Sequence, residues 1–166
     1  YTDADTMFFS SPEPIFHEMG PASIMIHEHR YQKETMHLKN QSGIFNVGLI
    51  SFRNNHVGRE ALSWWKDRCV EWCYARFEDG KFGDQKYLDD WPRRFEDVHV
   101  LEHLGAGTAP WNQGNYIFSR DNSSKVLVDA QELIHYHFHG LEIHRPGIYL
   151  TFKYNYFIQD QVLEHC

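Results

Sequence analysis

Two carboxylates near the beginning of the sequence are spaced for binding a metal ion. Asp3 and Asp5 are separated by one residue at the edge of an apolar segment, where burying two unpaired carboxylates is unfavourable. Hard divalent cations prefer oxygen ligands, and such a pair can hold a cation that also contacts a diphosphate. The same spacing is typical of a solvated turn, so the pair alone predicts only a candidate site.

Histidine is frequent in this chain, and three histidines alternate along one short segment. Of the twelve histidines, His135, His137 and His139 are separated by single residues in a stretch that predicts a strand. Because successive side chains of a strand point to opposite faces, all three imidazoles are expected on one face. Neighbouring imidazoles can ligate a metal ion. The alternative is the polar face of an edge strand, with rings bonded to water or backbone.

A glycine followed by an acid and an amide predicts a second group of polar side chains. Gly83 permits a tight turn or the close approach of a ligand. Asp84 and Gln85 are then expected at a helix N-terminus, where a carboxylate is stabilised and an amide can reach outward. Simple N-capping by Asp84 is the structural alternative.

Two further segments carry amides that could bind sugar hydroxyls. Asn46 lies between apolar strand residues and must find a hydrogen-bond partner, while Gly48 removes a side chain close to it. Trp111 and Asn112 could form a carbohydrate platform, because sugars stack their C–H faces on indole rings. The partner of Asn46 could equally be backbone, and Trp111 could be a core residue.

Strand and helix patterns alternate, which predicts an α/β fold. The strongest helix is expected at 57–78, with Asn55 as N-cap and Gly80 as its stop. A shorter helix is expected at 84–91, ended by Pro92. A loop is expected around the prolines and glycine at 12–21. The predicted strands are 23–27, 43–52, 98–101, 125–128 and 133–138, and the tail 147–166 is expected to add a strand and a short helix to the domain formed by 1–146.

Composition excludes several classes of function. The net charge is −7, with 16 basic and 23 acidic residues and no basic cluster, which argues against a nucleic-acid partner. No run approaches the roughly 18 apolar residues of a membrane helix, so we predict no transmembrane segment and a cytoplasmic location. Three cysteines form no disulfide framework, and Cys69 and Cys73 are expected to pack as free thiols.

Taken in order, the motifs resemble the C-terminal two-thirds of a GT-A-fold nucleotide-diphospho-sugar glycosyltransferase. The resemblance runs from Tyr1 to about Gly140 and is carried by four segments. Bacterial glycosyltransferases with Phe-Asn-Val-Gly, Gly-Asp-Gln-x-Tyr-Leu and His-Phe-His-Gly segments are similar. The resemblance implies a GT-A-like mixed sheet flanked by helices, with the N-terminal nucleotide-binding units expected upstream of Tyr1 and only weak nucleotide binding by this chain alone. The four segments are Asp3-Ala4-Asp5, Phe45-Asn46-Val47-Gly48, Gly83-Asp84-Gln85-Lys86-Tyr87-Leu88 and His137-Phe138-His139-Gly140.

The resemblance also implies a reaction and a division of roles. A sugar would pass from a nucleoside-diphosphate donor to an acceptor hydroxyl in bacterial glycan synthesis, with Mn²⁺ or Mg²⁺ held by Asp3, Asp5 and His137. Asp84 and Gln85 would lie at the reaction centre. The Lys-Pro-Trp that follows this motif in glycogenin-like enzymes is absent, and Arg145 is the only candidate substitute. The residues expected to contact donor or acceptor are Asp3, Asn46, Gly48, Gly83, Trp111 and Asn112.

Two other functions remain open from sequence. His137 and His139 followed by Glu142 are typical of the metal cluster in cupin-like oxygenases and isomerases, although a long helix is foreign to a small barrel. A carbohydrate-binding module using Trp111 is the non-enzymatic alternative. That alternative leaves the paired aspartates and Asp84 without a role.

Overall fold

The computed structural model describes residues 1–145 and 148–150, which form a mixed α/β structure. The α-helices are α1 (Glu13–Met19), α2 (Lys39–Ser42), α3 (His56–Glu71) and α4 (Trp91–Arg94), and short 3₁₀ helices occupy Met36–Leu38, Lys86–Asp90 and Gln113–Asn115. The strands are β1 (Thr6–Phe8), β2 (Ile24–Glu28), β3 (Phe45–Phe52), β4 (Val98–Val100), β5 (Phe118–Arg120), β6 (Val126–Val128), β7 (Gln131–Glu132), β8 (His135–His137), β9 (Glu142–Arg145) and β10 (Ile148–Leu150). No helix in these described ranges is both long and apolar enough to span a membrane.

A three-stranded mixed sheet organises the core. Strand β2 lies in the middle, antiparallel to β3 and parallel to β4. Side chains alternate across β2, so Ile24 and Ile26 pack with Trp65 of α3 and Trp91 of α4 on one face, while Met25 packs into a separate cluster on the other. Both faces of the sheet are therefore covered, and β2 is buried except at its last residue.

The N-terminal segment connects two parts of the fold. Strand β1 pairs antiparallel with β8, which places Thr6 opposite His137. Just before β1, the Asp3 N–H donates to the Gly48 carbonyl of β3 at 3.3 Å. The segment carrying the paired aspartates is thus held between β3 and β8, and both aspartates lie beside the histidine strand.

Helix α3 begins where the sequence predicts and ends earlier. Asn55 is the N-cap and accepts from the Gly58 N–H at 2.9 Å. The helix ends at Glu71, not at residue 78, because the following chain folds back on itself. The reversal is a tight turn at Asp79 and Gly80, both with positive φ, between the paired residues 78 and 81. An Asp-Gly dipeptide favours such a hairpin turn, and Gly80 serves it instead of stopping a helix.

Prolines account for two wrong predictions. The region 12–21 contains helix α1 instead of a loop, with Pro14 inside its first turn, where a missing N–H removes no intrahelical bond. The helix expected at 84–91 is a 3₁₀ turn continued by α4, and Pro92 again lies in a first turn and does not end the helix.

The remaining differences are shifts in element bounds and short elements that the sequence did not predict, such as α2, β5 and β7. The polar stretch between β2 and β3 holds a 3₁₀ turn and α2, and the strand expected at 133–138 is confined to β8. Cys69 lies in α3 and Cys73 beyond its end, and both thiols are free as expected. In the tail, β10 supplies the expected strand by pairing with β9. The expected short helix at 151–166, and residues 146 and 147, lie outside the described residues.

Candidate functional site

The sequence motifs meet around one cleft of about 1000 Å³. One wall is the segment that precedes β1 together with the end of β8, and the base includes residues from β3 and the turn before the 3₁₀ helix at 86–90. The opposite wall comes from the stretch between β2 and β3. The motif residues that line it are Asp3, Asp5, Asn46, Gly83, Asp84, Gln85, Trp111, His137 and His139.

A three-residue group in this cleft has the geometry of a metal site. One ligand atom from each of Asp5, His137 and His139 can be chosen so that all lie within 4.8 Å of one another. The His137 Nε2 lies 3.0 Å from Asp5 Oδ1 and 3.8 Å from Asp3 Oδ2. Two imidazoles and a carboxylate form a donor set that suits a divalent transition metal. This group shares Asp5 and His137 with the expected ligand set, contains His139 in addition, and does not include Asp3.

Burial keeps His137 in the form that metal binding requires. Its side chain is 5% exposed, and desolvation lowers the pKa of His137 even though Asp5 and Asp3 act in the opposite direction. A neutral imidazole is the form that coordinates a metal ion. His137 is thus suited to ligation without first losing a proton.

Gly48 is required by the position of this imidazole. A Cβ at residue 48 would lie 2.5 Å from His137 Nδ1 and 2.6 Å from Asn46 Oδ1. Gly48 itself does not line the cleft. Its role in the structure is to leave room for the His137 imidazole and for the neighbouring amide, in place of the expected contact with substrate.

A chain of hydrogen bonds fixes the amide of Asn46. The Gly48 N–H donates to Asn46 Oδ1 at 2.8 Å, so the Nδ2 points the other way, towards His29 Nε2 at 3.2 Å and Gln85 Oε1 at 3.4 Å. Burial lowers the pKa of His29 to about 3, and its Nδ1 lies 3.3 Å from the Ile44 carbonyl. A neutral ring that donates through Nδ1 accepts from Asn46 through Nε2. Gln85 then has its N–H₂ to offer to a ligand.

Asp84 combines burial with access to the cleft. Its main-chain carbonyl accepts from the Trp65 indole N–H at 2.9 Å, which anchors the turn to α3. Desolvation raises the pKa of the Asp84 carboxyl, and the nearby Asp3 adds to the effect. A carboxylate with a raised pKa at a cleft is suited to accept a proton from a bound hydroxyl.

Trp111 and Asn112 have different positions although they are adjacent. Trp111 lines the cleft, with its ring centroid 5.1 Å from that of His137 and 5.7 Å from that of His139. Asn112 is fully buried, and within the described residues it bonds only to backbone, through the carbonyls of His29 and Gly107 and the Ala109 N–H. Asn112 therefore holds the loop together, and the structure does not bring it into the cleft.

The strand register separates His135 from the other two histidines. Phe8 of β1 pairs with His135, and their rings are 5.1 Å apart. His135 is fully buried and lies outside the metal group, whereas His137 and His139 are reached by Asp5. The pairing of β1 with β8, which the sequence pattern did not reveal, makes this distinction.

Sequence reasoning missed the wall formed between β2 and β3. The residues that it contributes are His29, Tyr31, Gln32, Glu34, Thr35, His37, Leu38, Gln41 and Ser42. The alternation of His27 and His29 at the end of β2 was an available signal, since it repeats the spacing of the recognised histidine strand. The rest of this wall carries no motif and became visible only through its position.

Two relatives align with most of this chain. The chain is similar to two Bacillus subtilis (strain 168) proteins, the uncharacterized proteins YfnD, at 35% identity over 145 residues, and YfnF, at 36% over 149. Each alignment covers 86% of this chain but only 46% of YfnD and 49% of YfnF. The chain thus spans about half the length of the curated relatives it matches. No family model and no solved structure matches it.

Proposed function

We propose that this chain contributes the metal and acceptor side of a metal-dependent glycosyltransferase that uses a nucleoside-diphosphate sugar. The observation that carries the proposal is the convergence of separate motifs on one cleft, where the paired aspartates face Asp84 and Gln85. These are the segments whose order resembles GT-A-fold enzymes. A cleft with a carboxylate and imidazole metal site beside the partly buried Asp84 carboxylate suits transfer of a sugar from a diphosphate to a hydroxyl.

Asp5, His137 and His139 would hold the divalent cation, with Asp3 at its edge. Two imidazoles among the ligands favour Mn²⁺ over Mg²⁺, because Mg²⁺ strongly prefers oxygen donors. A bound cation supplies neutralisation of the negative charge on the departing diphosphate.

The chain's own side chains would position the two substrates. Asp84 accepts a hydrogen bond, and then a proton, from the acceptor hydroxyl if the configuration at the sugar is inverted. Gln85 donates its N–H₂ to a donor-sugar oxygen, with its orientation held by Asn46. Trp111 closes the cleft behind His137 and excludes water from that side of the metal group.

A second candidate follows from the composition of the metal group itself. Two histidines and one carboxylate with open positions form the donor set of non-haem Fe(II) oxygenases. The carboxylate is Asp5; Glu142, which the cupin-like alternative required, instead lies 3.8 Å from His144. This candidate leaves Asp84, Gln85 and Asn46 without a role, so we prefer the glycosyltransferase.

The test separates metal binding from turnover in the intact protein. Mn²⁺ binding is measured by calorimetry for the wild type and for Asp5→Asn and His137→Gln, and the hydrolysis of a panel of UDP-, GDP- and dTDP-hexoses is followed by NMR. Each substitution should weaken Mn²⁺ binding by more than about tenfold, as loss of a ligand requires, and abolish hydrolysis. The control variants are Asp67→Asn and His56→Gln, which alter exposed side chains of α3.

Each outcome bears on one proposal. Unchanged Mn²⁺ affinity in both site variants would remove the metal assignment. Metal binding without hydrolysis of any nucleotide sugar, but with Fe(II)-dependent oxygen consumption, would favour the oxygenase.

A further inference from the structure

The cleft has an unusual distribution of charge for a site that handles a diphosphate. Its lining includes the carboxylates of Asp3, Asp5, Glu34 and Asp84, and among the described residues no lysine or arginine lines it. Among the described residues that line the cleft, the only titratable groups with nitrogen atoms are four histidines. The described lining of the cleft is therefore acidic, with carboxylates on both sides of its base.

Two basic residues that follow cleft residues in the sequence, Arg30 and Lys86, are bound to other partners. The exposed Lys33 and Lys39 also adjoin lining residues in the sequence but do not line the cleft themselves. Arg30, which follows His29, donates to the carbonyls of Ala106 and His103. Lys86, which follows Gln85, lies 2.8 Å from Asp89 Oδ2. Arg30 and Lys86 are bound within the fold, so a small change of rotamer does not bring either into the cleft.

The wall between β2 and β3 offers uncommitted polar groups. Glu34, His37, Gln41 and Ser42 line the cleft, and no hydrogen bond within the described residues uses their side chains. Beside them Tyr31 and Leu38 pack against Trp111 and supply apolar surface. Hydroxyl-binding groups next to aromatic and aliphatic surface suit a sugar ring, which presents both O–H groups and C–H faces.

Binding of a metal ion and a nucleoside-diphosphate donor would leave the acceptor side of the cleft negatively charged. A divalent cation at Asp5 and His137 is matched by the charge of the diphosphate that it would bind, so the carboxylates of Glu34 and Asp84 still face the acceptor. In a cleft with low-dielectric walls, like charges repel more strongly than in water. An anionic acceptor would meet this repulsion without a lysine or arginine in the described lining of the cleft.

We propose that the wall formed by Glu34, His37, Gln41 and Ser42 is an acceptor subsite that takes an uncharged, hydroxylated sugar and rejects carboxylated or phosphorylated ones. Calling the bound sugar an acceptor rests on the proposed glycosyltransferase function. Its content, selection against anionic sugars at this wall, concerns binding and is measurable without knowing the donor.

The experiment compares ligands that differ in one group. Binding of the methyl glycosides of glucose, galactose and mannose is measured by saturation-transfer NMR on the intact protein with Mg²⁺, beside the corresponding uronic acids and the 6-phosphates. At low ionic strength, at least one neutral glycoside should bind about fivefold or more tightly than its anionic counterparts, and added salt should narrow the gap.

Reversing the charge of Glu34 tests whether the selection against anionic sugars arises at this wall. Glu34→Lys should bring the uronic acid to within about twofold of the neutral glycoside, because it replaces a repelling charge by an attracting one. The matched control is Glu60→Lys, which makes the same change in net charge on the exposed face of α3. It should leave the preference as in the wild type.

The results distinguish this inference from the proposed function. Selective binding of neutral glycosides without turnover of any nucleotide sugar would support the subsite and count against the glycosyltransferase. Sugar transfer to a uronic acid as efficient as to the neutral sugar would overturn the subsite and leave the glycosyltransferase standing. Equal effects of Glu34→Lys and Glu60→Lys, or no binding of any glycoside, would also overturn it.

Discussion

At the scale of single residues, the site depends on how closely backbone and side chains approach each other at Gly48. The absence of a side chain there lets the His137 imidazole lie against β3, where its Nε2 reaches Asp5. The Gly48 N–H also holds the Asn46 amide in one orientation. One glycine thus positions the proposed metal ligand His137 and, through Asn46, the amide of Gln85.

Gly48→Ala tests this dependence. The added methyl group would lie within 2.6 Å of both neighbours, so the imidazole and the amide must move. We expect a loss of about 1–3 kcal/mol in the free energy of unfolding and Mn²⁺ binding weakened by more than about tenfold, measured by urea denaturation and calorimetry. Ser51→Ala on the same strand is the control and should preserve metal affinity. Wild-type affinity in Gly48→Ala would show that the ring does not need this space.

At the scale of elements, helix α1 is fastened to the end of β4 by one carboxylate. Glu18 Oε1 accepts from His99 Nε2 at 2.8 Å and from the Glu102 N–H at 2.6 Å, while Oε2 accepts from the His103 N–H at 3.0 Å. Partial burial would raise the pKa of Glu18, but these hydrogen bonds outweigh it and lower the pKa below its ordinary 4.5. The ionised form is therefore the one that the fold stabilises.

This carboxylate should make stability depend on pH in the acid range. A pKa that is lower in the folded than in the unfolded state gives stabilisation that is complete above 4.5 and is lost as the pH falls through the folded-state value. Glu18→Gln should cost about 1–2 kcal/mol at neutral pH and flatten the loss of stability below 4.5, measured by urea denaturation at a series of pH values. Glu13→Gln, on the same helix with an exposed carboxyl, should do neither. An identical pH profile in Glu18→Gln and wild type would refute the assignment.

At the scale of the whole molecule, the cleft is assembled from segments far apart in the chain, and Trp111 joins two of its walls. Its indole N–H donates to the His29 carbonyl at 3.0 Å, and its own carbonyl accepts from the Thr35 hydroxyl at 2.6 Å. Its ring also packs edge-on against His137. Trp111 therefore connects the proposed acceptor wall to the metal group.

Trp111→Leu should weaken both stability and metal binding. Loss of a buried aromatic ring and its hydrogen bond should cost about 3 kcal/mol or more, and the freed His137 and His139 rings should bind Mn²⁺ less tightly. Trp64→Leu alters a partly buried residue that packs against the cluster around Trp65 and Trp91. It provides a destabilised variant with an intact site. Thermal unfolding with and without Mn²⁺ measures both effects. An equal Mn²⁺-induced shift of the Tm in the two variants would show that Trp111 does not support the metal group.

Much of the site was predictable because its chemistry depends on side-chain type. The paired aspartates and the Asp84 and Gln85 pair were recognised from local spacing, and the resemblance singled out His137 among the three alternating histidines. The structure brings these residues together around one cleft. Asn55 as a cap and the strand at Phe45–Phe52 were predictable for the same reason, since caps and apolar runs are local signals. The prolines of α1 and α4 misled, because the same residue ends a helix or begins one according to its position.

The sequence by itself determined which donors and acceptors the molecule possesses: carboxylates and imidazoles that could hold a metal, amides and hydroxyls that could bind a sugar, and more acidic than basic residues. Only the tertiary structure decided which of them act together. The register of β1 on β8 covers His135 with Phe8 and leaves His137 and His139 beside Asp5. Folding likewise brought the residues between β2 and β3, which carry no recognised motif, opposite the proposed metal group. Strand pairing and packing join residues distant in the chain, and no local pattern encodes those distances.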